Sequence, residues 1–80
     1  MDYEVLVQLK AEVLDPEGRA IQETLKSQGL SEIKAVTVAK RYVVTIDPGS
    51  KNPETLVEDV ANRYLANPVA ETFLIKRLDA

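Results

Sequence analysis

The stretch Asp15-Pro16-Glu17-Gly18 constrains this chain more than any other, because it turns an extended segment into a helix at a defined residue. Asp15 suits the N-cap, where its carboxylate accepts from the free amides of the first turn. Pro16 suits the first helical position, which needs no amide hydrogen and matches its fixed φ. Glu17 adds negative charge beside the positive end of the helix dipole. Gly18 breaks the pattern, since glycine inside a helix costs about 1 kcal/mol relative to alanine. Two reasons justify it: close packing of the first turn on a neighbouring strand, or close approach of another chain or ligand. Packing is the commoner.

Either side of this joint the chain divides by period. Residues 3–9 alternate, with Tyr3, Val5, Val7 and Leu9 on one face and Glu4, Leu6, Gln8 and Lys10 on the other, which predicts a half-buried strand. The helix that follows places Ala20, Ile21, Thr24 and Leu25 at helical spacing; Lys26 suits its last turn and Gly29 its left-handed stop. From Ile33 the period returns to two through Val36 and Val38, and Tyr42-Val43-Val44-Thr45-Ile46 is β-rich. Ala39-Lys40-Arg41 is the expected hairpin tip, although it lacks an Asn-Gly signal. One long strand is the alternative, and usual strand lengths favour the hairpin. After the loop Asp47-Pro48-Gly49-Ser50-Lys51, Asn52-Pro53-Glu54 repeats the arrangement of cap, proline and acid. The second helix carries Leu56, Val57, Val60, Ala61, Tyr64 and Leu65, and Asn67-Pro68 ends it. Phe73-Leu74-Ile75 and Leu78 form a last strand. The expected fold is α+β: a single domain over residues 1–80 with the order βαββαβ. That order suits a ferredoxin-like sandwich of a four-stranded antiparallel sheet with both helices on one face.

Eighty residues are few for a self-sufficient core, so association with another chain is expected. The absence of cysteine removes disulfides and thiolates; the absence of histidine removes the usual neutral-pH base and commonest metal ligand. No metal or cofactor is expected on this chain. Neither a membrane-length apolar run nor a basic flank at Met1-Asp2-Tyr3-Glu4 is present, so a cytoplasmic location without membrane contact is expected. A net charge of −3 argues against nucleic acid as a partner.

Few constellations survive weighing. Gly49-Ser50-Lys51 lacks the upstream glycine of a phosphate loop and reads as a plain loop. Capping and dipole compensation account for Asp15 and Glu17 without acid–base catalysis. Lys40-Arg41-Tyr42 reads as a charged hairpin, with protein docking ahead of RNA because one aromatic is too few for base stacking. The second sheet face is more informative. Leu6 points away from the helices if Val5 and Val7 face them, and Val43 and Leu74 oppose their aliphatic neighbours. Which parity of the last strand faces inward stays open. An apolar remainder on that face predicts a second burial partner, so Leu6, Val43 and Leu74 are candidates for a homodimer interface.

Three motifs carry a family resemblance: Val13-Leu14-Asp15-Pro16-Glu17-Gly18-Arg19-Ala20-Ile21, Val36-Thr37-Val38-Ala39-Lys40-Arg41-Tyr42, and Leu65-Ala66-Asn67-Pro68-Val69-Ala70-Glu71. Together they resemble the PurS family, the small subunit of phosphoribosylformylglycinamidine synthase, nearly end to end. Glu12 and Ala39 stand where that family usually has glycine. The resemblance implies a non-catalytic subunit in de novo purine biosynthesis, dimeric or higher. It would join a PurQ-type glutaminase to a PurL-type synthetase and aid ammonia transfer, in a complex using ATP, Mg and glutamine. The motif residues it points to as partner-binding are Asp15, Gly18, Arg19, Lys40, Arg41, Tyr42 and Asn67. Asp15-Pro16-Glu17-Gly18 before a helix resembles, more loosely, the ACT domain, a regulatory module that binds an amino acid at a dimer interface. Gly29-Leu30-Ser31-Glu32-Ile33 departs from the usual ACT continuation.

Overall fold

Alternation in the first segment builds the middle of the sheet. In the computed structural model, which describes residues 1–79, β1 spans Asp2–Leu9, and Tyr3, Val5 and Val7 are its buried side chains. Each such valine stabilises the fold by roughly 1.5–3 kcal/mol relative to exposure. β2 (Ala39–Thr45) and β3 (Glu71–Arg77) pair antiparallel with β1 on either side, giving the order β2-β1-β3. Val5 faces Tyr42 across one ladder and Ile75 across the other. Tyr42, Val44, Phe73 and Ile75 therefore flank the buried line of β1 and are half-buried.

The sheet has three strands, which corrects the expected four. Residues 33–38 make no ladder, and the backbone runs from 33 into β2 without a turn. Ala39, Lys40 and Arg41 are paired with Gln8, Val7 and Leu6, so they open a strand and are not a hairpin tip. The missing Asn-Gly signal was the relevant cue, because a tight reversal needs residues that accept positive φ.

α1 (Pro16–Ser27) starts as the sequence predicts and stops on a Schellman motif. Gly29 takes φ 84°, its N–H donates to Lys26 O at 3.1 Å, and Leu30 N–H donates to Leu25 O at 3.0 Å. α1 buries only Gly18, and Ile21 stays 41% exposed. The two helices thus do not share the cover of one face as expected: the core beneath the sheet is supplied by α2 (Pro53–Val60) and the π-turn after it, Ala61–Leu65. Asn52 makes no side-chain capping bond, so the second cap-proline-acid run is not a functional copy of the first. Buried positions step from Val57 to Ala61 and then to Ala66, by four and then by five, closed by an Ala66 N–H bond to Ala61 O of 2.9 Å. That extra residue leaves Tyr64 outside the stripe to which α-helical spacing assigns it, and 73% exposed.

The far end of the sheet is closed by polar contacts. Tyr3 donates its hydroxyl to Glu54 at 3.0 Å, while Arg77 lies 3.7 Å from Glu54 and 3.6 Å from Asp79. Burial, then the bond to Glu54, holds the Tyr3 phenol above its ordinary range. Among the described residues no helix is long and apolar enough to cross a membrane.

Candidate functional site

Where β1 ends, one carboxylate ties two segments together. Asp15 Oδ1 accepts from Gly18 N–H at 2.9 Å and Oδ2 from Val38 N–H at 2.8 Å. Asp15 therefore caps α1 and also holds the extended arm of residues 33–38 against the helix start. Gly18 is explained by the same crossing. A methyl group there would overlap Val36 O and lie 2.7 Å from Asp15 Oδ2. Close packing, the first of the two reasons for a glycine, applies. Farther along, Gln22 Nε2 donates to Lys34 O at 3.0 Å, so α1 and the arm form one unit.

The two main-chain donors, Gly18 first, hold the Asp15 carboxyl below its ordinary value of 3.8, against the opposing effect of partial burial. A carboxyl lowered by folding adds stability above that ordinary value and loses it as pH falls through the folded one. Melting curves of the parent and of Asp15→Asn, taken from neutral pH to about pH 2, are expected to converge at the acid end. The parent should melt higher near neutrality and fall more steeply below about pH 4; curves that stay parallel would remove this role for Asp15.

Beside the joint lies a recess of about 200 Å³ lined by Val7, Leu9, Pro16, Val38 and Ala39, together with the charged Lys40 and Glu71. Lys40 Nζ sits 3.9 Å from Glu71 Oε2, and Glu71 Oε1 accepts from Asn67 N–H at 2.7 Å. Asp15, Gly18, Lys40 and Asn67 are thus gathered at one end of the sheet. Glu71 is the link that the sequence reading passed over, although it closes the third motif. The other candidates are dispersed. Arg19 is exposed on α1. Arg41 pairs with Glu4 on one face of the sheet, while Lys40 and Tyr42, its neighbours on either side, point to the opposite face. Lys40-Arg41-Tyr42 is therefore not one charged tip.

The face that α2 does not cover brings the three dimer candidates together. Leu6 lies directly opposite Leu74, and Val43 lies opposite Glu4 two residues along. Leu74 is 59% and Val43 48% exposed, and Leu6 is half-buried. This also settles the parity of the last strand: Phe73 and Ile75 face α2 and Leu74 faces away. A further exposed pair on the helix side went unnoticed in the sequence: the Arg63 guanidinium stands 5.8 Å from the Tyr64 ring centre.

Fold and site together define a small α+β protein with a one-sided sheet, an exposed apolar strip, and a polar joint that ties its first helix to an extended arm. The PurS family profile, described as phosphoribosylformylglycinamidine (FGAM) synthase, matches residues 2–79, and the chain belongs to that family. The phosphoribosylformylglycinamidine synthase subunit PurS of Bacillus subtilis is 36% identical over 69 residues, covering 86% of this chain and 82% of that one. The crystal structure of Methanocaldococcus jannaschii PurS, one of the subunits of formylglycinamide ribonucleotide amidotransferase in the purine biosynthetic pathway, superposes with a TM-score of 0.82. It is 33% identical and covers 94% of this chain and 92% of that chain. A structure of PurLQS from Thermotoga maritima matches at TM-score 0.83 and 23% identity, over 96% of this chain and 95% of that one, a likeness of fold. Membership over nearly the whole chain decides between this family and the looser ACT likeness.

Proposed function

We propose that this chain is the small, non-catalytic subunit of a phosphoribosylformylglycinamidine synthase in the cytoplasm. There it joins a glutaminase subunit to an ATP-dependent synthetase and aids the transfer of ammonia between them. The observation that carries the proposal is the apolar Leu6–Leu74–Val43 strip, with Leu74 and Val43 exposed and Leu6 half-buried between them, on a chain of this family, because such a strip calls for a protein partner. A second copy of the chain docks on it. The gathered residues Asp15, Gly18, Lys40 and Asn67, with Arg19 on the adjoining helix, contact the large subunits, as do Arg41 and Tyr42 from the two faces of β2. ATP, Mg and glutamine belong to those subunits and not to this one.

Reconstitution tests the proposal. Glutamine-dependent turnover by the two large subunits should rise when this chain is added, and the chain alone should consume neither glutamine nor ATP. Unchanged turnover would overturn the reading. Arg19→Glu separates docking from folding. A cation in the first helical turn opposes the dipole, so glutamate should leave the melting temperature equal or slightly higher. The guanidinium is suited to bidentate pairing with a partner carboxylate, so binding to the large subunits should weaken by about tenfold. Equal binding by parent and variant would remove this edge of α1 from the docking site.

A further inference from the structure

The cations of this chain divide by place. Lys40, Arg41, Arg63 and Arg77 each have a carboxylate partner, and all four lie on the sheet or on the turn after α2. Arg19, Lys26 and Lys34 lie on α1 and the arm, and among the described residues none of the three is in an ion pair. Arg19 and Lys26 are seven residues apart, so they stack on one side of α1 about 10 Å from each other, with Gln22 and Glu23 between them. Ile21 and Leu25 occupy a different side of the helix.

Gln22 brings the third cation to this side. It is half-buried, and its Nε2 donates to Lys34 O at 3.0 Å, which lays the arm along the helix. Lys34 Nζ donates to Ser31 O at 3.3 Å, and an ammonium has further donors to offer another group. Two shallow recesses adjoin here. One, of about 200 Å³, is lined by Arg19, Gln22, Glu23 and Lys26; the next, of about 250 Å³, includes Gln22, Lys26, Ser31 and Lys34. Gln22 and Lys26 belong to both, so the two form one groove. Glu23 is the sole carboxylate lining it against three cations, on a chain whose net charge is −3; Glu32 lines neither recess.

We infer that this groove docks an acidic segment of a different protein, with carboxylates spaced to meet Arg19, Lys26 and Lys34. Charge selects the occupant. A second copy would meet the groove about a twofold axis, which places a patch on itself. Three cations would then face three cations, and like charges brought together across an interface are costly. Nucleic acid fits no better, because its binders neutralise more phosphates than three cations can and the chain as a whole repels it. The inference rests on the reading that the chain docks on large subunits, and it deepens that reading. Arg19 is one of three cations that act together, and the surface runs from the joint to the last turn of α1.

Affinity for each large subunit, measured at low and high salt for the parent, Lys26→Gln, Lys34→Glu and Lys51→Glu, tests the groove. The parent's Kd should rise at least about tenfold between about 50 and about 500 mM salt. Lys34→Glu should weaken binding to one large subunit by about tenfold and Lys26→Gln by about threefold, and both should flatten the salt dependence. Their melting temperature and sedimenting mass should stay those of the parent. Lys51→Glu changes the net charge as much as Lys34→Glu does, from the loop before α2, and should bind as the parent does. An equal loss from Lys51→Glu, or parental binding by both groove variants, would overturn the inference. A fall in sedimenting mass at unchanged affinity for the large subunits would assign the groove to a second copy and overturn it equally. Glutamine-dependent turnover separates this failure from that of the wider reading. If turnover rises with the parent while the groove variants bind normally, the groove alone is removed; a parent that binds neither subunit removes both.

Discussion

Gly18→Ala is expected to destabilise the chain by about 2–3 kcal/mol, although alanine in an open helix would add about 1 kcal/mol. The added methyl meets Val36 O, a main-chain atom, and the capping carboxylate of Asp15. Neither can yield alone. The carboxylate is bonded to Gly18 and Val38, and the arm is bonded through Val38 and Lys34 to the helix it crosses. Either the helix start moves and loses its cap, or the arm lifts from α1. Urea unfolding of the parent, Gly18→Ala and Gly29→Ala distinguishes this from a general glycine effect. Gly29 has a left-handed φ but nothing within 4 Å of an added methyl, so its loss reflects backbone strain alone. Gly18→Ala should show the larger loss, because its added methyl meets main-chain and capping atoms that are themselves bonded. Unfolding at the parent's midpoint would mean that the crossing is looser than described.

The second large effect is on association. The triple variant Leu6→Glu, Val43→Lys, Leu74→Lys should fold as the parent does and lose one self-contact. Each new charge has an opposite charge across the ladder: Val43→Lys faces Glu4, and Leu6→Glu faces both Arg41 and Leu74→Lys. The fold therefore keeps its register while the strip becomes costly to bury. The dissociation constant of the face contact should rise by at least about a hundredfold, read as a halving of mass in sedimentation. If the triple variant associates like the parent, the strip is an ordinary solvated surface.

What could be read from the sequence depended on whether the signal was local. The period-two run of β1 identified Tyr3, Val5 and Val7 as core because alternation is decided within a few residues. Asp15 and Gly29 were legible for the same reason, since a cap and a left-handed stop are chemistry within one turn. The failures came where a distant partner decides. Residues 33–38 have strand-like composition, but composition does not say whether a strand lies beside them to pair with, and none of the described strands does. Asn52 has the chemistry of a cap, yet its side chain makes no capping bond. Tyr64 was assigned to the helix stripe by a period of 3.6, and the five-residue turn after Ala61 carries it outward. The candidate site divided in the same way. Asp15 and Gly18 were found by their joint, and Glu71 was missed because Lys40 is brought to it only by the sheet, Asn67 being a local partner four residues before it.

The placement of β1 also governs when this chain can fold at all. Among the described residues, the first strand in chain order is the middle strand of the sheet, and its partner on one side is the last in chain order. Until residues 71–77 have left the exit tunnel, β1 has an empty edge and its buried valines lack part of their cover. Closing that loop spans nearly the whole chain, which places the rate-limiting contact among the slow, non-local kind. The nascent chain therefore stays unfolded through most of its synthesis, with a strand of Val5, Leu6 and Val7 open to the wrong neighbour.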